Sequence, residues 1–328
     1  MKAYVLRSYG PADRLALTET DPPVPGDGEV LVRVRATSVN PYDWHLMRGE
    51  PRVARVMSKG IGLRRPPYQV LGCDLAGDVA AVGDGVTGFR PGDRVYALVS
   101  HGGFAEYATV RAELLTPMPA NATYEQAAAV PMAALTALVA VRERGEVGAG
   151  SNVLVNGASG GVGTFAVQIA RALGATVTGV CRTRNLQLVA SIGARQVVDY
   201  TAADFSRQGR RHDVLVDVAG GRSLRAYRRA LAPKGTLVLV GGPAGRWVQP
   251  AGHVFARMAA GALVSQRVVL ADVVARPDKQ RLLQDLTSMI EAGTVTPVID
   301  RSYPFEELPA AVRYQEEGHA PGKVVVTV

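Results

Sequence analysis

Residues 151–175 read SNVLVNGASGGVGTFAVQIARALGA, and this stretch decides the fold. A short apolar strand, residues 153–155, runs into the glycine-rich turn 156–163 and then into an amphipathic helix. The helix is indicated by apolar residues spaced three and four apart, namely Val162, Phe165, Ala166, Ile169, Ala170 and Leu173. Glycines let a backbone turn tightly beside a pyrophosphate, and the N–H groups that begin a helix stabilise its negative charge. The order strand, glycine turn, helix therefore predicts a dinucleotide-binding unit.

The glycine turn alone is a weak signal. It departs from the pattern G-x-G-x-x-G because Ala158 stands at the first glycine position, whereas Gly160 and Gly163 fill the other two. A β-to-α connection that is rich in glycine only for packing is the alternative for this motif. The residues that follow the helix decide between the two interpretations.

A second apolar strand, residues 176–181, ends where an NAD-binding unit usually carries an acidic residue for the ribose hydroxyls. Here the chain continues as Cys181-Arg182-Thr183-Arg184, without a carboxylate. Arginine offers forked donors to a 2′-phosphate, which an acidic residue would repel. The pattern favours NADP, and we expect Arg184→Ala to weaken NADPH binding far more than NADH binding. Alternatively, both arginines are solvated charges at the start of the next helix.

Composition limits the class of protein. The 328 residues are 47% hydrophobic and 20% charged, as in a globular chain with room for two domains. No apolar run approaches the roughly 20 residues of a membrane helix, and the N-terminal MKAYVL resembles a strand rather than a secretory signal. We therefore expect a cytoplasmic protein without a membrane partner. Two cysteines, Cys73 and Cys181, cannot build a disulfide framework or a multi-cysteine zinc site.

The chain is basic. Its 37 basic and 29 acidic residues give a formal net charge of +8, and the basic residues concentrate in residues 48–65, 207–211 and 222–229. Such charge can attract nucleic acid, but no aromatic interleaving or nucleic-acid motif accompanies it. An arginine-rich surface around an anionic cofactor explains the charge equally well. A specific nucleic-acid partner is therefore not predicted.

Two patterns divide the chain. Residues 1–120 are rich in β-branched segments and Gly/Pro turns, which predicts an antiparallel, barrel-like β domain. Strands and helices alternate through residues 121–272, which predicts a doubly wound parallel sheet, the Rossmann fold. A helix over residues 278–292 and a β-rich tail are expected to return to the first domain as segment 273–328. We therefore predict an α/β chain that combines a Rossmann domain with a barrel-like β domain.

Five segments along the chain carry a family resemblance. They are NPYDW at 40–44, LGCDLAG at 71–77, FRPGDRV at 89–95, GGFAEY at 102–107 and ASGGVG at 158–163. With them, nearly the whole chain resembles the medium-chain dehydrogenase/reductase superfamily and, within it, the zinc-independent quinone oxidoreductase branch. The resemblance implies a GroES-like β domain. Proteins of this architecture commonly form dimers through sheet edges, so we expect a homodimer that pairs through residues 265–270.

The resemblance also bears on metal binding. A catalytic zinc needs three protein ligands from Cys, His or carboxylate. Where zinc-dependent alcohol dehydrogenases carry their first ligand this chain has residues 40–43, and Gly72-Cys73-Asp74 is similar to their Gly-His-Glu segment. Residues 128–131, in the region of the third ligand, offer none, and the four-cysteine structural loop is absent. We therefore predict no bound metal, with a zinc-type alcohol dehydrogenase as the alternative.

Without a metal, an alcohol is hard to activate at neutral pH, so an already electrophilic acceptor is favoured. We expect NADPH to reduce a small-molecule quinone or α,β-unsaturated carbonyl, with catalysis by positioning and by hydrogen bonds to the developing oxyanion. The resemblance implies that Asn40, Tyr42 and Asp43 lie on the loop that faces the nicotinamide. Asn40 would orient the acceptor or ribose, and Tyr42 would donate a proton, unless Tyr42 only packs at the cleft wall. His45 is a candidate proton relay by its chemistry alone, with an exposed or hydrogen-bonded histidine at the end of a strand as the alternative.

The resemblance also implies a set of contacts to NADPH (NADP+). The expected cofactor-binding residues are Thr136, Ser159, Gly160, Gly161, Val162, Gly163, Cys181, Arg182, Thr183, Arg184, Val240, Gly241, Gly242 and Lys323. Thr136 resembles the family threonine near the nicotinamide, and Gly241 follows a strand at the carboxyl edge of the sheet, where ligands bind in doubly wound folds. Lys323 resembles a C-terminal basic residue that reaches the phosphates, with a surface lysine at the start of a strand as the alternative.

Other functions are also compatible with the sequence. One is a dedicated tailoring reductase or an isomerase, which would bind NADPH but act on a single natural-product enone. Another is a non-enzymatic NADPH-binding or RNA-binding protein, in which RNA affinity would be sensitive to salt. A panel of generic quinones and enones separates these alternatives from the leading prediction.

Overall fold

The computed structural model describes residues 1–53, 55, 62–241, 252, 257–259, 261 and 265–328. The chain forms two compact units. The first comprises Met1–Met132, Arg276–Ala292 and Pro297–Val328, and the second comprises Ala133–Ala275 and Gly293–Thr296. None of the helices in the described ranges is both long and apolar enough to cross a membrane.

The described residues include fifteen strands. They are β1 (Lys2–Leu6), β2 (Leu15–Glu19), β3 (Glu29–Val39), β4 (Asp74–Val82), β5 (Arg94–Leu98), β6 (Tyr107–Arg111), β7 (Leu115–Pro117), β8 (Asn152–Asn156), β9 (Thr176–Cys181), β10 (Gln196–Asp199), β11 (His212–Asp217), β12 (Leu231–Leu239), β13 (Arg267–Leu270), β14 (Ile299–Pro304) and β15 (Lys323–Thr327).

Eight α-helices accompany these strands in the part of the chain that the structure describes. They are α1 (Pro41–Arg48), α2 (Tyr124–Ala128), α3 (Pro131–Leu138), α4 (Gly161–Ala172), α5 (Leu186–Ser191), α6 (Leu224–Ala230), α7 (Lys279–Glu291) and α8 (Leu308–Glu316). A π-helical segment, Val139–Arg144, continues α3.

The first unit is built on a mainly antiparallel sheet in the order β14-β15-β3-β4-β5-β7, in which β6 also pairs with β3. β3 is the long central strand. Its side chains alternate, so that Val30, Val32 and Val34 are at most 2% exposed and enter one hydrophobic cluster with residues of β4, β5 and β6. This period of two is the pattern of a strand that buries one face. The predicted antiparallel β domain is therefore confirmed.

The second unit is a six-stranded parallel sheet in the order β10-β9-β8-β11-β12-β13. The strand order reverses beside β8, the strand that leads into the glycine turn of residues 156–163. In a doubly wound sheet this reversal opens a crevice at the carboxyl ends of the strands, where ligands bind. The predicted Rossmann fold is confirmed.

Most strands and helices lie within two residues of the bounds that the sequence pattern predicts. β4 starts three residues before its predicted start at Gly77, and β12 starts five residues before its predicted start at Thr236. In β12 the residues Pro233, Lys234 and Gly235 are typical of a turn, so the local pattern indicates a strand only after them. The strand instead begins at Leu231, which pairs with His212 across a register shift in β11. Of the basic segment 48–65, residues 54 and 56–61 lie outside the described residues.

Candidate functional site

A buried polar cluster lies where the ends of three strands of the first unit meet. Its members are each at most 3% exposed, and they are Ser38, Asn40, Asp43, Cys73, Asp74 and Lys323. The register explains the meeting point, because β3 pairs Val39 with Val324 on one side and Ser38 with Asp74 on the other. Residues far apart in the sequence are therefore brought together by strand pairing.

Helix α1 begins inside this cluster. Asn40 is its N-cap residue, Pro41 is the first helical residue, and Asp43 accepts a hydrogen bond from the Asn40 N–H at 2.8 Å. This arrangement is a capping box, and proline suits the first turn because its missing N–H has no partner there anyway. The helix ends at Gly49, whose φ of 60° suits glycine. The NPYD sequence thus fixes both the start of α1 and the position of Asp43.

Asp43 is buried beside a thiol. One carboxylate oxygen accepts from the N–H of Asn40, and the other accepts from the N–H of Cys73 at 3.0 Å. Burial, together with the nearby negative charge of Asp74, raises the pKa of Asp43 to about 7. Burial also raises the pKa of the Cys73 thiol well above its usual range, so this cysteine stays protonated at neutral pH.

Both carboxylate oxygens of Asp74 accept hydrogen bonds. Its Oδ2 atom accepts from the Ser38 hydroxyl at 2.6 Å and from the Asn40 amide at 2.9 Å. Its Oδ1 atom accepts from the N–H of Met132 at 2.8 Å. The Lys323 ammonium completes the set at 3.3 Å from Oδ2. A buried carboxylate is stable only with such partners.

Lys323 belongs to this cluster. Its ammonium is buried and donates to the side-chain oxygen of Asn40 as well as to Asp74. It is therefore not the surface lysine of the alternative interpretation, and the phosphate contact implied by the resemblance remains a prediction. The amide of Asn40 is likewise engaged inside the cluster, so orienting an acceptor would require these bonds to break.

The cluster does not fit a catalytic zinc. Its two carboxylates already accept hydrogen bonds from backbone and side-chain donors, and a lysine ammonium lies against Asp74. A zinc ion would need three free donors around an open position. Nowhere in the described ranges do three His, Cys, Asp or Glu side chains form a group that is able to hold a metal.

Asp43 makes stability depend on pH. We expect the free energy of unfolding of the wild type, relative to an Asp43→Asn variant, to fall by up to about 1.4 kcal/mol per pH unit between about pH 4 and pH 7. In this window the folded carboxyl keeps a proton that the unfolded chain has lost, because the folded pKa is raised to about 7. Denaturant titrations of both chains at several pH values measure the difference.

The titration of His45 does not affect the difference in stability between the wild type and Asp43→Asn. Burial lowers the pKa of His45 to about 4, so its contribution is present above about pH 6.5 and is lost as the pH falls through 4. Because His45 is common to wild type and variant, it does not alter their difference. A difference that stays constant from pH 4 to 8 would show that Asp43 ionises normally.

Tyr42 and His45 lie on α1. Tyr42 is half-buried and packs against the hydrophobic cluster that contains Leu46 and Met47. Within the described residues its hydroxyl has no hydrogen-bond partner, and burial raises its pKa above the ordinary value, so the phenol stays protonated. His45 stacks on Trp44, and its Nδ1 atom lies 3.1 Å from the backbone oxygen of Glu50. Of the residues predicted from the NPYDW segment, Tyr42 thus retains a free donor group.

In the second unit, the glycine loop of residues 156–163 connects β8 to α4. Gly157 has a φ of 86°, which disfavours any other residue. A Cβ atom at Gly163 would lie 2.0 Å from the backbone oxygen of Gly157. Glycine at 163 is therefore required for the helix to pack so closely against the loop.

The start of α4 fits the phosphates of a dinucleotide. Its N-cap residue, Gly160, makes no side-chain capping bond, and the first turn carries no acidic residue. The N–H groups of Gly161, Val162 and Gly163 therefore begin a helix without a side chain to bond them, which suits an anion. Ser159 beside this turn accepts a hydrogen bond from the Asn185 amide at 3.0 Å.

Polar side chains that follow β9 and β10 meet at the carboxyl ends of these two strands. β10 pairs Asp199 with Cys181, and this register places the residues after each strand side by side. Arg182 donates to the hydroxyl of Tyr200 at 3.1 Å. The Thr183 hydroxyl donates to the Asp199 carboxylate at 2.6 Å. Sequence reasoning placed no carboxylate here because Asp199 lies on the neighbouring strand.

Asp199 is held by two hydroxyl groups. Besides Thr183, the Thr201 hydroxyl donates to it at 2.7 Å. These hydrogen bonds lower the pKa of Asp199, so it is ionised at neutral pH. A signal for it was present in the sequence, since Asp199 ends an apolar strand.

Sequence reasoning also missed a buried carboxylate at the end of β11. Asp217 is fully buried and accepts from the Asn156 amide at 2.7 Å, from the Tyr227 hydroxyl at 2.5 Å and from the N–H of Gly220 at 3.0 Å. The Val218 N–H donates to the backbone oxygen of Asn156 at 3.0 Å. Asp217 thus holds the loop after β11 beside the glycine loop.

The remaining predicted cofactor residues are also in the second unit. Thr136 lies in α3 and is 7% exposed. Val240 and Gly241 follow β12, and both N–H groups donate to the backbone oxygen of Asp217, at 3.0 and 3.3 Å. Gly242 lies outside the described residues. Arg184 lies in the short 3-10 turn after β9.

Two segments of the chain match known protein families. Residues 26–120 match the family described as alcohol dehydrogenase GroES-like domain, and residues 192–326 match that described as zinc-binding dehydrogenase. The chloroplast envelope quinone oxidoreductase homolog of Arabidopsis thaliana is 33% identical over 99% of this chain and 98% of its own length. The chain belongs to the medium-chain dehydrogenase/reductase superfamily. Within this superfamily it is a quinone oxidoreductase-like oxidoreductase, as predicted.

Two further members extend the comparison. The NADPH-dependent alkenal/one oxidoreductase of Arabidopsis chloroplasts is 33% identical over 99% of this chain and 79% of its own length. The solved structure of the quinone oxidoreductase from Coxiella burnetii has a TM-score of 0.87 and 26% identity, covering 100% of this chain and 99% of that one. The description of the second matching family names zinc, but the buried polar cluster of this superfamily member does not fit that metal.

Proposed function

We propose that the protein is an NADPH-dependent reductase of quinones or α,β-unsaturated carbonyl compounds. The observation that carries this proposal is the buried polar cluster, whose carboxylates already accept hydrogen bonds from internal donors. Oxidising an alcohol at neutral pH is easiest when a metal lowers the pKa of its hydroxyl. An acceptor that is already electrophilic can be reduced without a metal. The names of the Arabidopsis relatives, a quinone oxidoreductase homolog and an alkenal/one oxidoreductase, support the same class of acceptor.

The chain's own residues have to bind both molecules and supply a proton. NADPH, when bound, supplies a hydride. The two-electron reduction is completed when a proton reaches the acceptor oxygen that gains negative charge. Tyr42 is the residue that we assign to this proton, because its half-buried hydroxyl is protonated and has no partner in the described part of the chain. A protonated phenol also stabilises a developing oxyanion by donating a hydrogen bond.

The preference for NADPH rests on the end of β9. Arg182 lies there with its guanidinium bonded to the neutral hydroxyl of Tyr200 rather than to a carboxylate. Its other N–H groups and the Tyr200 hydroxyl can approach a 2′-phosphate together. Residues of the glycine loop would hold the pyrophosphate at the start of α4.

A second candidate donor is NADH, and Asp199 is the observation that favours it. A carboxylate at this edge of the sheet can accept the ribose hydroxyls of NADH and repels a 2′-phosphate. Asp199 already accepts hydrogen bonds from Thr183 and Thr201, which reduces its capacity for a further ligand. We therefore favour NADPH.

We expect Arg182→Ala and Arg184→Ala each to raise the dissociation constant of NADPH by about 10- to 100-fold, the value of one hydrogen bond to a charged group. The dissociation constant of NADH should change less than about 3-fold, because NADH lacks the 2′-phosphate. Fluorescence titration with both cofactors measures the effect. Arg195→Ala removes an exposed arginine of the same unit and serves as the matched control.

Equal losses for both cofactors in the arginine variants would contradict the NADPH assignment. Asp199→Asn separates the two donors further. If NADH is the natural donor, this variant loses NADH affinity, whereas a preference for NADPH predicts unchanged or tighter NADPH binding.

The reaction itself is tested by following NADPH oxidation with a panel of quinones and enones. Turnover of several acceptors, together with no loss of activity after chelator treatment, supports a metal-independent reductase. Binding of NADPH without turnover of any acceptor would instead favour a dedicated tailoring enzyme or a non-enzymatic role. Stoichiometric zinc in the purified protein would overturn the proposal.

A further inference from the structure

Lys323 is an unusual lysine because its charge is buried. Its side chain is 4% exposed, and its ammonium lies 3.3 Å from an Asp74 carboxylate that is itself fully buried. Removing an ammonium from water costs several kcal/mol unless well-placed partners compensate it. Such a group is retained only where the fold provides those partners, and here the fold provides two, Asp74 and Asn40.

The position of Lys323 is set by rigid elements. It is the first residue of β15, whose register with β3 places Val324 opposite Val39. The Lys323 N–H is itself fixed by a 2.8 Å hydrogen bond to the backbone oxygen of Val298. The ammonium therefore lies at the junction between the end of β3 and the start of α1.

At this junction the ammonium determines the orientation of one amide group. The side-chain oxygen of Asn40 accepts from Lys323, while its amino group donates to Asp74 at 2.9 Å and lies 3.3 Å from the sulfur of Cys73. If the amide were rotated by 180°, its amino group would face the ammonium and its oxygen would face the carboxylate. Both contacts would be repulsive.

The orientation of Asn40 matters for α1. Asn40 is the N-cap residue of this helix, and Tyr42 is its second residue. The capping box also includes Asp43, which links the same turn to Cys73. The Asn40 side chain and Tyr42 therefore belong to the same first turn of α1, two residues apart.

We propose that Lys323 is a positioning residue, an internal cation that locks the Asn40 amide and thereby holds the first turn of α1 and Tyr42 in place for proton donation. The part of this inference that concerns proton donation rests on the function proposed above. It assigns Lys323 a role different from the phosphate contact implied by the family resemblance. The two roles differ in what they do to NADPH binding.

The test uses a pair of variants. Lys323→Met alone leaves Asp74 buried without its cation and is expected to destabilise or unfold the protein. The double variant Lys323→Met/Asp74→Asn removes both charges, so that the fold is restored while the hydrogen bond to the Asn40 oxygen is still missing. Lys234→Met, an exposed lysine in the second unit, is the control for losing one positive charge.

We expect the folded double variant to have a kcat about 10- to 100-fold lower than the wild type, as for a displaced catalytic group. Its dissociation constant for NADPH should stay within about 3-fold of the wild type, because a positioning role directs the ammonium to Asn40 and Asp74 rather than to the cofactor. A kcat equal to that of the wild type would mean that Lys323 only stabilises the fold. A loss of NADPH affinity of tenfold or more would instead favour the phosphate contact.

A spectroscopic measurement makes the outcome independent of activity. In protein labelled with 3-fluorotyrosine, the ¹⁹F resonance of Tyr42 is assigned by its loss in Tyr42→Phe. We expect this resonance to shift in the double variant and to stay unchanged in Lys234→Met. An unshifted resonance overturns the positioning role. If no acceptor is reduced by the wild type but the resonance shifts, the proposed function fails and the structural coupling of Lys323 to Tyr42 stands.

Discussion

Tyr42→Phe is expected to lower kcat for quinone or enone reduction by about 100-fold, near the low end of what a general acid contributes. The phenol of Tyr42, on α1, has no hydrogen-bond partner among the described residues, and burial raises its pKa so that it stays protonated at neutral pH. Phenylalanine preserves the packing of the ring against the hydrophobic cluster. Steady-state kinetics with NADPH and one active acceptor measure the loss.

The stability of this variant should differ from that of the wild type by less than about 0.5 kcal/mol, because the lost hydroxyl makes no hydrogen bond to any residue that the structure describes. Tyr303→Phe removes a hydroxyl from another tyrosine packed against the same cluster and should leave kcat unchanged. If Tyr42→Phe retains the wild-type rate, a water molecule or another side chain supplies the proton, and Tyr42 only packs at the site.

Gly163→Ala is expected to destabilise the second unit by about 3 kcal/mol or more, at the upper end of the cost of overpacking. The added Cβ atom would lie 2.0 Å from the backbone oxygen of Gly157 and 2.9 Å from backbone atoms of Ala158. Backbone cannot yield as a flexible side chain does, so α4 must move away from the loop. NADPH binding should fall with it, because the start of α4 would leave the position suited to the pyrophosphate.

Gly148→Ala is the matched control for this prediction. Gly148 belongs to the same unit, its φ is not positive, and an added Cβ would meet no atom within 4 Å. The same chemical change should therefore leave thermal stability and NADPH titration close to the wild type. A Gly163→Ala protein with wild-type stability and affinity would show that the loop is free to adjust and that its close packing is not required.

The second unit was predictable because its elements have local signatures. β9 and β10 have the bounds that their apolar runs indicate, and α4 follows from spacings of three and four residues. Apolar residues that recur at a regular spacing along one strand or helix indicate which of its faces is buried. This spacing can be read without knowing which other element packs against that face. β12 fits the same rule: its residues 233–235 locally indicate a turn, and only the pairing of Leu231 with His212 shows that the strand starts before them.

Side chains that meet across strands were not predictable in the same way. Asp199 was overlooked because it reaches Thr183 from the adjacent strand, although the two residues are sixteen positions apart. The local pattern places Asp217 in a strand but does not indicate that its carboxylate accepts hydrogen bonds from Asn156 and Tyr227 in the fold. Each contact depends on sheet order or register, which a single sequence does not record.

Residues 151–175 and the arginines after β9 by themselves predict a dinucleotide-binding unit and favour NADP as its cofactor. They do so because the spacing of apolar residues, the positions of glycines and the charge are properties of a local stretch of sequence. Family membership added the class of reaction. Only the tertiary structure decided that Lys323 is buried with Asp74 and Asn40, because strand pairing joins residues 249 and 283 positions apart. The cost of burying a charge is compensated only by partners, and those partners exist only in the folded protein.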